Sequence, residues 1–149
     1  EGIKAYGLIN HRHISEMEQI LGFVSGDKIQ LQFTPHLVPV VRGMFTTIYG
    51  RLKDPGLTAD DCKILLDNFY RNYTNIKILP VGVYPSTKWT RNTNDIYISI
   101  NVDRRNGRII FLSTLDNLLK GQAGQAVQNL NLISGQSAHN GLDLINFYP

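Results

Sequence analysis

The chain has 149 residues, 42% of them hydrophobic and 18% charged, with a formal net charge of +3. That length suits one globular domain and excludes two ordinary catalytic domains, and no apolar run reaches the roughly 20 residues of a membrane span. The opening residues EGIKAYGLIN lack the basic and apolar regions of a signal peptide, and a single cysteine excludes an internal disulfide, so a cytoplasmic setting is expected. Basic residues are scattered apart from Arg104, Arg105 and Arg108, which gives little reason to expect nucleic acid as a partner.

Taken in order, Ile3 to Ile9 is apolar on both faces and predicts an interior strand. Ser15-Glu16-Met17-Glu18 has the spacing of a capping box and predicts a short helix ending near Gly22. Lys28 to Phe33 alternates polar and apolar residues like a strand with one wet face, and Pro35 and Pro39 bracket a turn before Val40 to Leu52 resumes strand composition. Thr58 is the expected cap of a second helix, with Asp60 and Asp61 at the positive end of its dipole and Cys62, Leu65, Leu66, Phe69 and Tyr73 at helical spacing.

Pro80 and Pro85 mark another turn, and Ser86 to Asn94 is an expected loop in which Trp89 packs inward. Ile96 to Val102 and Arg108 to Leu112 are expected strands joined through Asn106-Gly107, a dipeptide suited to a tight hairpin. The three arginines then flank a hairpin tip, where a solvated charged end is a better reading than a phosphate site. Leu115 to Ile133 predicts a last helix with Leu115, Leu118, Leu119, Ala126, Val127, Leu130 and Ile133 along one stripe. Gly121 and Gly124 interrupt it. Each costs about 1 kcal/mol against alanine in a helix, which suggests close approach by another backbone or a ligand.

The stretch His11-Arg12-His13 stands at the mouth of the first helix. If the strand runs on to residue 13, both imidazoles project from one face beside Glu16. Acid–base or substrate-binding use, a metal site completed by Glu16 or His36, and plain structural histidines all fit that spacing.

Longer segments narrow the choice. His11-Arg12-His13-Ile14-Ser15-Glu16-Met17-Glu18-Gln19 resembles the HRH-x-P-E-I-E-Q stretch of the N-acetyl-gamma-glutamyl-phosphate reductases, a family of the semialdehyde dehydrogenase group. Phe33-Thr34-Pro35-His36-Leu37-Val38-Pro39-Val40-Val41-Arg42-Gly43 and Asp116-Asn117-Leu118-Leu119-Lys120-Gly121-Gln122-Ala123-Gly124-Gln125-Ala126-Val127-Gln128-Asn129 agree in order and spacing. The ending Gly141-Leu142 through Tyr148-Pro149 is similar as well. Ser15 replaces an expected proline, and serine also suits a helix start.

The resemblance implies that residues 1–149 are a C-terminal catalytic and dimerisation domain lacking the family's N-terminal NADP-binding domain, its Gly-rich loop and its nucleophilic cysteine. It implies an α+β fold, a mostly antiparallel or mixed sheet with helices on one face, like the C-terminal domain of glyceraldehyde-3-phosphate dehydrogenase. The implied reaction is reduction of N-acetyl-L-glutamyl 5-phosphate by NADPH through a cysteine thioester. Within it His11 is the acid–base residue, and His13, Glu16, His36 and Arg42 bind substrate. Gly121, Gly124 and Gln125 face the cofactor. The expected partners are the small-molecule substrate, the chain's own N-terminal domain and further copies in a homodimer or homotetramer, with no nucleic acid, membrane or metal. Two rivals are a metal-binding hydrolase fragment using His11 and His13, and a non-catalytic dimerisation or nucleic-acid-binding module. Cys62, on an apolar helix stripe, is expected to be structural.

Overall fold

A computed structural model describes residues 2–143, and the last stretch of the C-terminal resemblance, residues 144–149, lies outside the described residues. The chain divides into two compact units, residues 1–41 and residues 42–149.

In the first unit, β1 (Lys4–Ala5) pairs antiparallel with β2 (His36–Leu37), in the register Lys4↔Leu37 and Ala5↔His36. The interior strand expected over Ile3 to Ile9 is therefore reduced to two exposed residues. Its extended run ends at Gly7, whose φ of +55° turns the chain, and Ile9 is 93% exposed. Helix α1 spans His13–Ser25 and starts two residues before the expected cap. Arg12 takes the N-cap position with helical backbone angles and makes no side-chain cap bond. Ser15 thus falls inside the first turn, where its hydroxyl donates back to the Arg12 carbonyl at 3.1 Å. Glu18 leaves the predicted capping box and accepts from the Leu31 amide at 2.9 Å. That bond takes a backbone donor which a strand over 28–33 would have used, and no ladder forms there. The helix continues past Gly22 to close on Gly26, at φ +76°, whose N–H reaches the Gly22 carbonyl.

The second unit is built on a four-stranded sheet in the order β3 (Met44–Arg51), β6 (Arg108–Leu115), β5 (Ile96–Asp103), β4 (Ile76–Ile78). The first three are antiparallel neighbours, and β4 runs parallel to β5. The β5–β6 hairpin closes as expected through Asn106 and Gly107, the latter at φ +66°. Helix α2 (Ala59–Tyr70) begins with a complete capping box, Thr58 accepting from the Asp61 amide and Asp61 accepting from the Thr58 amide. Its buried Cys62 packs with Ile100 and Ile109, flanked by Leu52, Leu57, Leu66, Val102 and Phe111.

The predicted loop 86–94 contains one helical turn, α3 (Thr87–Thr90), capped by Ser86, and Trp89 packs edge-on against Tyr97. The predicted continuous helix from Leu115 to Ile133 is three pieces. Leu115 ends β6, Leu119–Ala123 is a π-turn, and α4 is Gly124–Ile133. Its expected apolar stripe largely faces solvent, with Leu130 61% and Ile133 85% exposed, while Gly124 and Gln128 are buried. The i→i+5 bonds Gly121 N–H to Asp116 and Ala123 N–H to Leu118 widen the turn before α4 begins and break the helical phase between Leu115 and α4.

Candidate functional site

His11 sits immediately before α1 in a ring cluster. Its imidazole meets Tyr6, His13 and Phe33 edge-to-face at centroid distances of 5.4, 4.8 and 5.2 Å. A Cβ on Gly7 would lie 2.9 Å from His11 Cδ2, so the left-handed glycine is what lets the ring fold against the chain. The His13 backbone N–H donates to His11 Nδ1 at 3.2 Å. With Nδ1 accepting, the neutral ring carries its proton on Nε2.

His13 and Glu16 lie in the first turn of α1, both exposed and three residues apart on one helix face. His36 is exposed in β2, and among the described residues no hydrogen bond or ring contact joins it to His11 or His13. Among the described residues no three histidine, cysteine, aspartate or glutamate side chains are grouped to hold a metal.

Arg42, Gly121, Gly124 and Gln125 belong to the second unit. Arg42 Nε lies 2.9 Å from Oδ1 and 2.8 Å from Oδ2 of Asp116, a carboxylate with no solvent exposure. Asp116 also accepts from the amides of Asn92 at 2.8 Å, Leu118 at 2.8 Å and Leu119 at 3.0 Å. Burial opposes ionisation of Asp116. The Arg42 bond and the amides of Asn92, Leu119 and Leu118 outweigh it and hold the carboxyl below its ordinary range. Asn92 adopts φ +62°, and its N–H is one of those donors. Next to this carboxylate, Asn117 Oδ1 accepts from the Gly43 amide at 2.8 Å. Residues 116 and 117 thus tie together the start of β3, the 92–94 turn and the π-turn. Sequence reasoning missed Asp116, although it opens the quoted segment that contains the two glycines.

The close approach expected at Gly124 is made by the chain itself. A Cβ there would strike Asn94 Oδ1 and come within 2.9 Å of the Leu119 carbonyl. At Gly121 a Cβ would meet Leu115 at 3.3 Å, an adjustable side chain. Gln125 Oε1 accepts from Lys120 Nζ at 2.6 Å, and its Nε2 donates to Asn129 Oδ1 at 2.9 Å. Cys62 is buried, and burial followed by the charge of Asp61 pushes its thiol up, away from thiolate reactivity. A polar cavity of about 270 Å³, bounded by Thr74, Asn75, Lys77, Asn94, Asp95 and His139, contains none of the residues singled out from the sequence.

The second unit's mixed four-stranded sheet, with α2 packed on it, is an α+β domain. The crystal structure of aspartate semialdehyde dehydrogenase II complexed with ASA from Vibrio cholerae has the same fold, with a TM-score of 0.65 at 18% identity over 83% of this chain and 37% of that one. Residues 1–117 match the family described as semialdehyde dehydrogenase, dimerisation domain, and the chain belongs to that family. Along all 149 residues it is 68% identical to N-acetyl-gamma-glutamyl-phosphate reductase of Prochlorococcus marinus strain MIT 9515 and 65% identical to that of P. marinus subsp. pastoris. It is 58% identical to the enzyme of strain NATL1A, and it spans 42% of the length of each of these relatives.

Proposed function

We propose that residues 1–149 are the C-terminal catalytic and dimerisation region of an N-acetyl-gamma-glutamyl-phosphate reductase acting in the cytoplasm. Such an enzyme reduces N-acetyl-L-glutamyl 5-phosphate to N-acetyl-L-glutamate 5-semialdehyde and releases phosphate. The observation that carries this reading is identity of 58–68% to such reductases over all 149 residues. In this reading the cysteine that forms the thioester lies on a preceding domain, since Cys62 is buried in the α2 core.

NADPH, when bound, supplies the hydride. Of the three residues expected to face that cofactor, Gly121 is exposed, Gln125 half-buried and Gly124 buried, and the described residues hold no glycine-rich strand–turn–helix to cradle phosphates. His11 is the acid–base residue. Its Nδ1 is occupied by the His13 amide, so Nε2 is the atom that gives up or takes the proton as charge develops on the substrate oxygen. His13 and Glu16 orient the substrate beside it, with His36 a further polar contact. Arg42, held at Nε by Asp116, keeps its terminal guanidinium nitrogens for a carboxylate or phosphate. Phe45 and Tyr49, 51% and 63% exposed on the sheet face opposite Phe111 and Ile109, suit a two-fold contact between copies.

The test is phosphate-dependent reduction of NADP by the full-length protein with N-acetylglutamate semialdehyde, alongside sedimentation of residues 1–149 alone. Turnover by the full-length protein, with an inactive, self-associating 149-residue chain, supports the reading. Activity on aspartate semialdehyde with none on the N-acetylated substrate overturns the substrate assignment.

A further inference from the structure

Lys120 stands in the π-turn, partly buried, and its Nζ donates to Gln125 Oε1 and Gln128 Oε1, each at 2.6 Å. Both partners are neutral. Burial lowers the lysine's pKa, and among the described residues no carboxylate offsets it. Asp116, four residues earlier, is already committed to Arg42 and to the amides of Asn92, Leu118 and Leu119.

Neither glutamine is free to turn. Gln125 passes its own N–H to Asn129 at 2.9 Å, and Gln128 is only 9% exposed. An ammonium has three donors in tetrahedral directions, so fixing two fixes the third. Partly withdrawing a cation from water without a counter-charge is unfavourable, and the favourable completion is an anionic acceptor on that third direction. Lys120 itself is half-buried, and Gly121, Gln122 and Ala123, which follow it in the chain, are exposed.

We propose that Lys120, aimed by Gln125 and Gln128, is a binding site for an oxyanion group, a phosphate or a carboxylate. The site does not depend on the reductase reading, because it rests on the ammonium and its two amides alone. Those amides orient the lysine without neutralising it, which separates this arrangement from an ordinary internal salt bridge.

The test labels lysine Cε with carbon-13 in the full-length protein, identifies the Lys120 resonance with K120R, and adds inorganic phosphate or acetate at constant ionic strength set by chloride. The expected result is a saturable shift of the Lys120 resonance with one or both oxyanions, the half-saturation concentrations telling phosphate from carboxylate. A resonance that neither oxyanion moves, or that chloride moves equally, overturns the proposal. In K120M the anion response of the amides of residues 119–125 should weaken about tenfold or more. An unchanged response in a folded K120M also overturns it. Should K120M fail to fold, the lysine resonance of the native protein decides alone.

Discussion

The backbone N–H of His13 occupies Nδ1 of His11, so the second histidine of the pair fixes the tautomer of the first through the main chain and not through its own imidazole. The two side chains are therefore separable by mutation. Replacing the ring of His13 leaves the amide that directs His11 in place.

In the full-length enzyme, His11→Asn should lower kcat by about 10²–10⁴-fold, the usual contribution of a positioned acid–base group. His13→Asn should act chiefly on KM. Steady-state kinetics of the two variants check both statements, and the opposite pattern would exchange the roles.

Asp116→Asn removes a carboxylate with no solvent exposure and leaves Arg42 without its partner, so it should destabilise the fold by about 2–4 kcal/mol in a denaturant titration. The pH dependence has a definite sign. Because the folded-state carboxyl is held below its unfolded value of about 3.9, its contribution is complete above that pH and disappears as pH falls through the lower, folded value. The variant's loss of stability should accordingly shrink in strong acid.

Gly124→Ala and Gly121→Ala should diverge. Alanine gains about 1 kcal/mol of helix propensity at either position, but at 124 its Cβ meets Asn94 and the Leu119 backbone, an overpacking that typically costs about 1–3 kcal/mol. Thermal unfolding should show G124A less stable than the parent and G121A equal or better. A folded, stable G121A with reduced turnover would place a ligand against residue 121.

Cys62→Ser in the full-length enzyme should leave turnover within a few-fold of the parent. In the parent, the Cys62 thiol should react with a disulfide reagent only as α2 unfolds, since it is 4% exposed and its ionisation is suppressed. Rapid modification under native conditions would contradict its structural role.

Strong local signals in the sequence survived into the structure. Thr58 caps α2 as expected, with Asp60 and Asp61 in its first turn, and Asn106-Gly107 turns the hairpin where expected. Local rules failed where a distant partner intervened. The Ser15 box was legible, yet Glu18 is drawn to the Leu31 amide thirteen residues away. β4, three residues parallel to β5, is too short to show any periodicity of its own. In the first unit His11 and His13, and in the second Arg42, were marked by their motifs. Asp116 and Lys120 lie within a matching segment but were not singled out, because their significance lies in burial and in partners that spacing does not disclose.

The π-turn at residues 119–123 carries one more residue per turn than a regular helix would hold in the same span. Removing a single residue from it would restore ordinary pitch, and would also rotate everything upstream by about 100° relative to α4. Lys120 would then swing away from Gln125 and Gln128. A one-residue deletion here should thus be far more damaging than most substitutions at the same positions, and what this segment cannot give up is its length.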